Sequence, residues 1–207
     1  MNVKDSIRKR LNKSFVIIAA VCSAGLIACG VALFVISMQY HNAIENYGFS
    51  QGDIGKAMAV FADSRSALRA VIGYTDMSEI ASEKKKYETK KSAFEDYMSD
   101  VEAGMVTKAG KEAYAQAESA LNGYWTKADA ILQQGATTDN GASGAAQQKE
   151  IDELGPMYDN VYAALKNIMD IKVTKGDQVQ ATLNTVMYIL LVVIVAIIAF
   201  SIYMSTH

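Results

Sequence analysis

Histidine occurs only twice in the 207 residues, as His41 and His207, and proline only once, as Pro156. Each histidine flanks a different apolar run, so a histidine-based catalytic triad and a multi-histidine metal site are both excluded. Cysteine is as scarce: Cys22 and Cys29 lie inside the first apolar run, and the long polar region has none. No disulfide can hold that region together, and its stability must come from a packed core. Glycine-rich phosphate loops are missing too. Nothing here assembles an active site, so no enzyme activity, metal or cofactor is expected.

Charge is absent from two long stretches. Phe15–Met38 runs 24 residues without a charged side chain and Val186–Met204 runs 19. About 20 apolar residues cross a bilayer as a helix, so both are transmembrane candidates. A secretory signal has a shorter apolar stretch, and although "LIAC" at Leu26–Cys29 matches a lipoprotein box, the residues after it stay apolar. Ahead of the first run stand Lys4, Arg8, Lys9, Arg10 and Lys13 against Asp5. Basic flanks stay cytoplasmic. The layout expected is a cytoplasmic N-terminus (1–14), a first span (15–38), an extracytoplasmic domain (39–185), a second span (186–204) and the start of a cytoplasmic part (205–207). That makes a multi-pass protein of the inner (cytoplasmic) membrane. Ala19, Cys22, Ser23, Gly25, Ala28, Cys29 and Ala32 give the first span a small-residue surface for close helix approach, with a second subunit the expected partner.

Beyond residue 14 there are 15 basic and 21 acidic residues. That acidic balance argues against nucleic acid or anionic lipid as a partner of the external domain. Its composition is rich in Ala, Glu, Lys, Met and Leu, and strand-like alternation is hard to find, so the fold class expected is all-α. Four helices are read. Helix 1 continues from the first span to about Tyr74, softened at Gly48–Gly55, with Ile54, Met58, Phe61, Arg65, Leu68 and Ile72 on one face. Helix 2 starts near Ser78, capped by Asp76 or Ser78, and ends around Gly104. Helix 3 runs from Thr107 to Gln134, with Tyr114, Leu121, Trp125, Ala128 and Leu132 inward. Gly135–Ala146 is read as a loop. Helix 4 begins between Gln147 and Pro156 and carries Val161, Leu165, Ile168 and Val179 into the second span. Pro156 marks its first turn or a kink. The architecture is an up-down-up-down bundle in which helices 1 and 4 are continuous with the spans.

Arg65 stands out, because it occupies the apolar stripe of helix 1. Neither it nor Arg69 has an acid three or four residues away, and each is the other's nearest charge. An unpaired charge on such a face costs several kcal/mol, of the order of 3–5. Three readings are open: a pair with an acid of a neighbouring helix, such as Glu153 or Asp159; simple solvation; or a binding site for a small carboxylate, which guanidinium groups grip bidentately.

The order of basic N-terminus, span, helical bundle and span resembles the N-terminal half of bacterial methyl-accepting chemotaxis receptors. "DSRSALRAVI" (Asp63–Ile72) is similar to the arginine-bearing segment of their sensor bundle. The resemblance implies a homodimeric chemoreceptor sensor in which helix 1 arginines from both subunits hold a ligand's carboxylates. By position these are Arg65 and Arg69. A further arginine one turn upstream would fall near Val60 and is absent here. The Thr-Gln pair that follows a proline in those relatives is replaced in "GPMYDN" by Met157 and Tyr158. Tyr158 and Tyr162, one turn apart, suit a more apolar or aromatic ligand, or are ordinary core tyrosines. The output implied is movement of helix 4 and the second span, passed to a cytoplasmic signalling domain. The rival readings are the sensor of a histidine kinase or diguanylate cyclase, and a membrane scaffold without a ligand.

Overall fold

Ile54, Phe61, Leu68 and Ile72 step along the chain by seven, seven and four residues, and all four are buried. That spacing is what makes Ser50–Gly73 (α2) one side of a core. The computed structural model describes residues 3–206, with side chains from 11 to 204. The basic residues Lys4, Arg8, Lys9 and Arg10 and the final His207 lie outside the described side chains.

The chain is helical almost throughout. Val3–Ala43 (α1) runs through a π-helical segment, Ile44–Phe49, into α2. Met77–Ala103 (α3) and Lys108–Gly135 (α4) follow, then Asn140–Lys149 (α5), a second π-helical segment, Glu150–Leu154, and Gly155–Thr206 (α6). No strand occurs among the described residues. Two compact units result, one from Ile44 to Gly176 and one holding the described residues up to Ala43 and from Asp177 onward.

The first unit is a four-helix bundle. Short polar turns separate its helices, each closed by a side chain that satisfies free N–H groups. Asp76 accepts from the amides of Ser78 and Glu79 at 2.8 and 3.2 Å, which makes it, and not Ser78, the cap of α3. Thr107 caps α4 through Gly110 N at 3.1 Å.

The stretch expected as a loop is mostly helix. Only residues 136–139 are non-helical, and α5 starts at Asn140 with Asp139 accepting from Gly141 and Ala142 at 2.7 and 3.0 Å. Tertiary bonds offset the weak helix propensity of "NGASGAA". Ser143 Oγ and Gln147 Nε2 donate to the Ile72 carbonyl at 2.5 and 2.8 Å, one of the last-turn carbonyls of α2 that the helix itself leaves unpaired. Gly135 lets the elements come this close. A Cβ there would stand 2.6 Å from both Ala146 Cβ and Ile72 Cγ2. Pro156 stands in the first turn of α6, one of the two places expected for it. The helical run passes through it, and the wider π-helical turn immediately before it accommodates the missing N–H and the ring.

At the centre Phe61 meets Phe94, Tyr124, Trp125 and Tyr158 with ring centroids 4.8–5.6 Å apart. Trp125 is core, as expected, and Tyr87 Oη closes its flank by donating to Asp129 at 2.8 Å.

The other unit contains the apolar runs. Two helices are long and apolar enough to cross a membrane. Their large side chains, among them Leu26, Phe34, Tyr188 and Val192, are exposed. Part of the small-residue surface of α1 meets α6 of the same chain: Cys22 Sγ lies 3.4 Å from Ser201 Oγ, and Gly25 faces Ile197.

Candidate functional site

Arg65 and Arg69 stand one turn apart on α2 and point the same way, as residues four apart on a helix must. Glu150 opens the π-helical segment that leads into α6. Its Oε1 accepts from Arg65 Nε at 2.8 Å and from Arg69 Nε at 2.9 Å. The carboxylate is 3% exposed and the Arg65 side chain 15%, whereas Arg69 is 54% exposed at the outer edge. Two cations thus converge on one buried anion, which relieves their mutual repulsion and leaves one surplus positive charge.

Of the three readings the sequence leaves open for Arg65, the structure shows the ion pair with a neighbouring element. The acid is neither Glu153 nor Asp159. Glu153 accepts from Lys127 at 2.5 Å, and this bond holds its carboxyl below the usual range. Asp159 lines a groove between α2 and α6.

Tyr158 joins the same site. The Arg65 guanidinium lies 4.3 Å from the centre of its ring, a cation–π contact, and the other face of the contact network is the Phe61 ring, stacked at 4.9 Å. Burial raises the Tyr158 phenol, with Arg65 opposing the rise. Tyr162 stacks on Tyr158 at 6.0 Å and borders the groove, about 870 Å³ in volume, together with Gly55, Met58 and Ala62. A second, smaller recess of about 280 Å³ opens beside Arg69, Glu150 and Gln147. The four residues singled out in the sequence therefore form one continuous group, Arg69–Arg65–Tyr158–Tyr162, with Glu150 bound at its arginine end.

Two members escape sequence reasoning. "KEIDEL" offers acids at 150, 152 and 153, and only the phase set by the π-helical turn decides that Glu150 faces inward. Tyr124, fully buried on α4, is the other. Its Oη makes no hydrogen bond among the described residues, and burial pushes the phenol well above its ordinary value, with Arg65 opposing that shift. Among the described residues no group of His, Cys, Asp or Glu side chains is placed to hold a metal ion.

A family described as the four helix bundle sensory module for signal transduction matches residues 4–187. The chain belongs to this sensory-module family. It is a domain of chemotaxis receptors. No curated protein and no solved structure matches the chain. For a sensory module of this kind, the arginine cluster has chemistry suited to an anion.

Proposed function

We propose that this sensory module is the ligand-binding half of a transmembrane chemoreceptor and that Arg65, Arg69, Tyr158 and Tyr162 receive a small extracellular carboxylate. The observation that supports this most is the pair of hydrogen bonds that Glu150 Oε1 accepts, one from each arginine. Glu150 is itself a carboxylate held between the two guanidinium groups, and it ties α2 to the segment that leads into α6. A ligand carboxylate competing for the arginines frees Glu150 and with it the π-helical turn ahead of Pro156. The aromatic pair alongside favours a ligand with an apolar or aromatic body.

The functional unit proposed is a homodimer in the inner membrane, with α2 and α6 facing the second subunit along the open groove, where Gly55, Ala59, Ala62 and Ala163 permit close approach. Displacement of α6 then carries the signal toward a cytoplasmic output domain. Thermal melts of the full chain in lipid nanodiscs against aliphatic and aromatic carboxylates test this reading. A saturating rise in Tm with at least one of them, lost in Arg69→Ala, supports it. No concentration-dependent shift with any carboxylate counts against it.

A further inference from the structure

Lys172 on α6 is 3% exposed, yet among the described residues its Nζ donates to no carboxylate. It bonds to the Asn46 carbonyl, in the first π-helical segment, at 2.8 Å and to the Gly104 carbonyl at the end of α3. One amine thus joins three elements. A buried ammonium bonded only to neutral acceptors is poorly compensated. Beside it is a second anomaly: the Ser50 hydroxyl, buried and without a hydrogen bond among the described residues. Ser50 Oγ and Lys172 Nζ lie 3.0 and 3.1 Å from the point where a Cβ on Gly104 would stand, so both converge over that glycine.

We propose that Lys172 is a proton-binding site that gives the module a second sensory input, external pH, with the neutral amine closing the junction of α6, α3 and the π-helical segment and the protonated amine favouring its opening. The burial and the bonding partners support this. A neutral amine can satisfy both carbonyls with its two N–H groups and has no charge to desolvate, whereas an ammonium in the same place keeps its charge out of water with only neutral acceptors bonded to it. The ionisable groups around it are Glu45 and Tyr47 on the π-helical segment, Asp53 on α2, Asp100 on α3 and Lys175 on its own helix. The three acids share a shallow cleft with Ser50 and Gly104, Asp53 is engaged by Lys56 at 3.0 Å, and the Tyr47 ring lies 5.6 Å from the amine. Burial lowers the Lys172 ammonium from its usual 10.5 to about 8. The closed junction therefore holds fewer protons than an open one in which the amine reaches water, and rising pH favours closure between these two values. The π-helical register of Ile44–Phe49 is the element biased, since Asn46 supplies one of the two acceptors. This inference is independent of the carboxylate site.

Hydrogen–deuterium exchange of the full chain in nanodiscs tests it, with rates corrected for the intrinsic pH dependence of exchange. In the wild type, the opening constant of amides 45–51 should fall at least about tenfold from about pH 8 to about pH 10. Lys172→Met cannot titrate and should show no such fall. Lys172→Arg, charged throughout, should show weaker protection at every pH. A wild-type opening constant that does not change with pH overturns the proposal, as does the same fall in Lys172→Met. Should Lys172→Met fail to fold, NMR titration of the wild-type lysine ε-carbons decides. A lysine with a midpoint near 8, lost in Lys172→Arg, supports the site, and no midpoint below about 10 overturns it.

Discussion

Arg65 Nε and Arg69 Nε meet a single oxygen of Glu150, at 2.8 and 2.9 Å. The two bonds are alike in length and unlike in surroundings. Arg65 is largely enclosed and stacked on Tyr158, while Arg69 is half in solvent. Arg65→Ala should therefore cost about 3–5 kcal/mol, because it leaves a buried carboxylate half-paired and removes a core contact. Arg69→Ala should cost only about 1 kcal/mol or less after screening. Urea melts of the two variants check the difference, and equal losses would contradict the burial argument.

That Arg65 needed a partner from another element was legible, since its stripe of Ile54, Phe61, Leu68 and Ile72 is regular and its own helix offers no acid. Which acid answered was not. Helical phase read across "KEIDELGP" fails because a π-helical turn adds a residue to the turn and rotates everything before it. The stretch Gly135–Ala146 was misread for a different reason. Its glycines and polar residues argue locally for a loop, but the free carbonyl of Ile72 recruits Ser143 and Gln147, and that tertiary demand overrides propensity. Lys172 gave no signal at all, because a lysine is normally assigned to solvent.

Gly135 should tolerate no side chain. The atoms a Cβ would meet at 2.6 Å are Ala146 Cβ, fixed to its backbone, and a branched methyl of Ile72. Gly135→Ala should cost about 1–3 kcal/mol through overpacking, despite the better helix propensity of alanine. Gly144, where a Cβ would meet nothing within 4 Å, is the control. Gly144→Ala should be neutral or stabilising in the same melt.

Lys172 also sets a sign for global stability. Its folded-state value, about 8, is below the unfolded 10.5. Below about pH 8 the lysine is charged in both states and the fold carries the full burial penalty. Between 8 and 10.5 the unfolded chain binds more protons, so this residue's contribution makes the fold more stable as pH rises, by at most about 3 kcal/mol. Denaturant midpoints of wild type minus Lys172→Met across that window isolate the contribution. A difference that stays flat with pH would be contrary to it.

Topology can be tested with single cysteines in a Cys22→Ser, Cys29→Ser background. A cysteine at Thr138, exposed in the turn between α4 and α5, should react with an impermeant thiol reagent on intact cells. One at Lys13, among the basic residues that precede the first apolar run, should react only after permeabilisation. The reverse pattern would overturn the proposed orientation.

Carboxylate recognition by the arginine pair is the central claim, and Glu150→Ala tests it most directly. That substitution removes the atoms of an acetate from between Arg65 and Arg69. The full-chain variant in nanodiscs should melt several degrees below wild type, in line with a loss of about 3–5 kcal/mol. Millimolar acetate or formate should then restore much of the lost Tm in a saturable way, while chloride at equal ionic strength should not. Acetate, formate and chloride acting alike on the variant would contradict the claim and leave the arginines a purely structural pair.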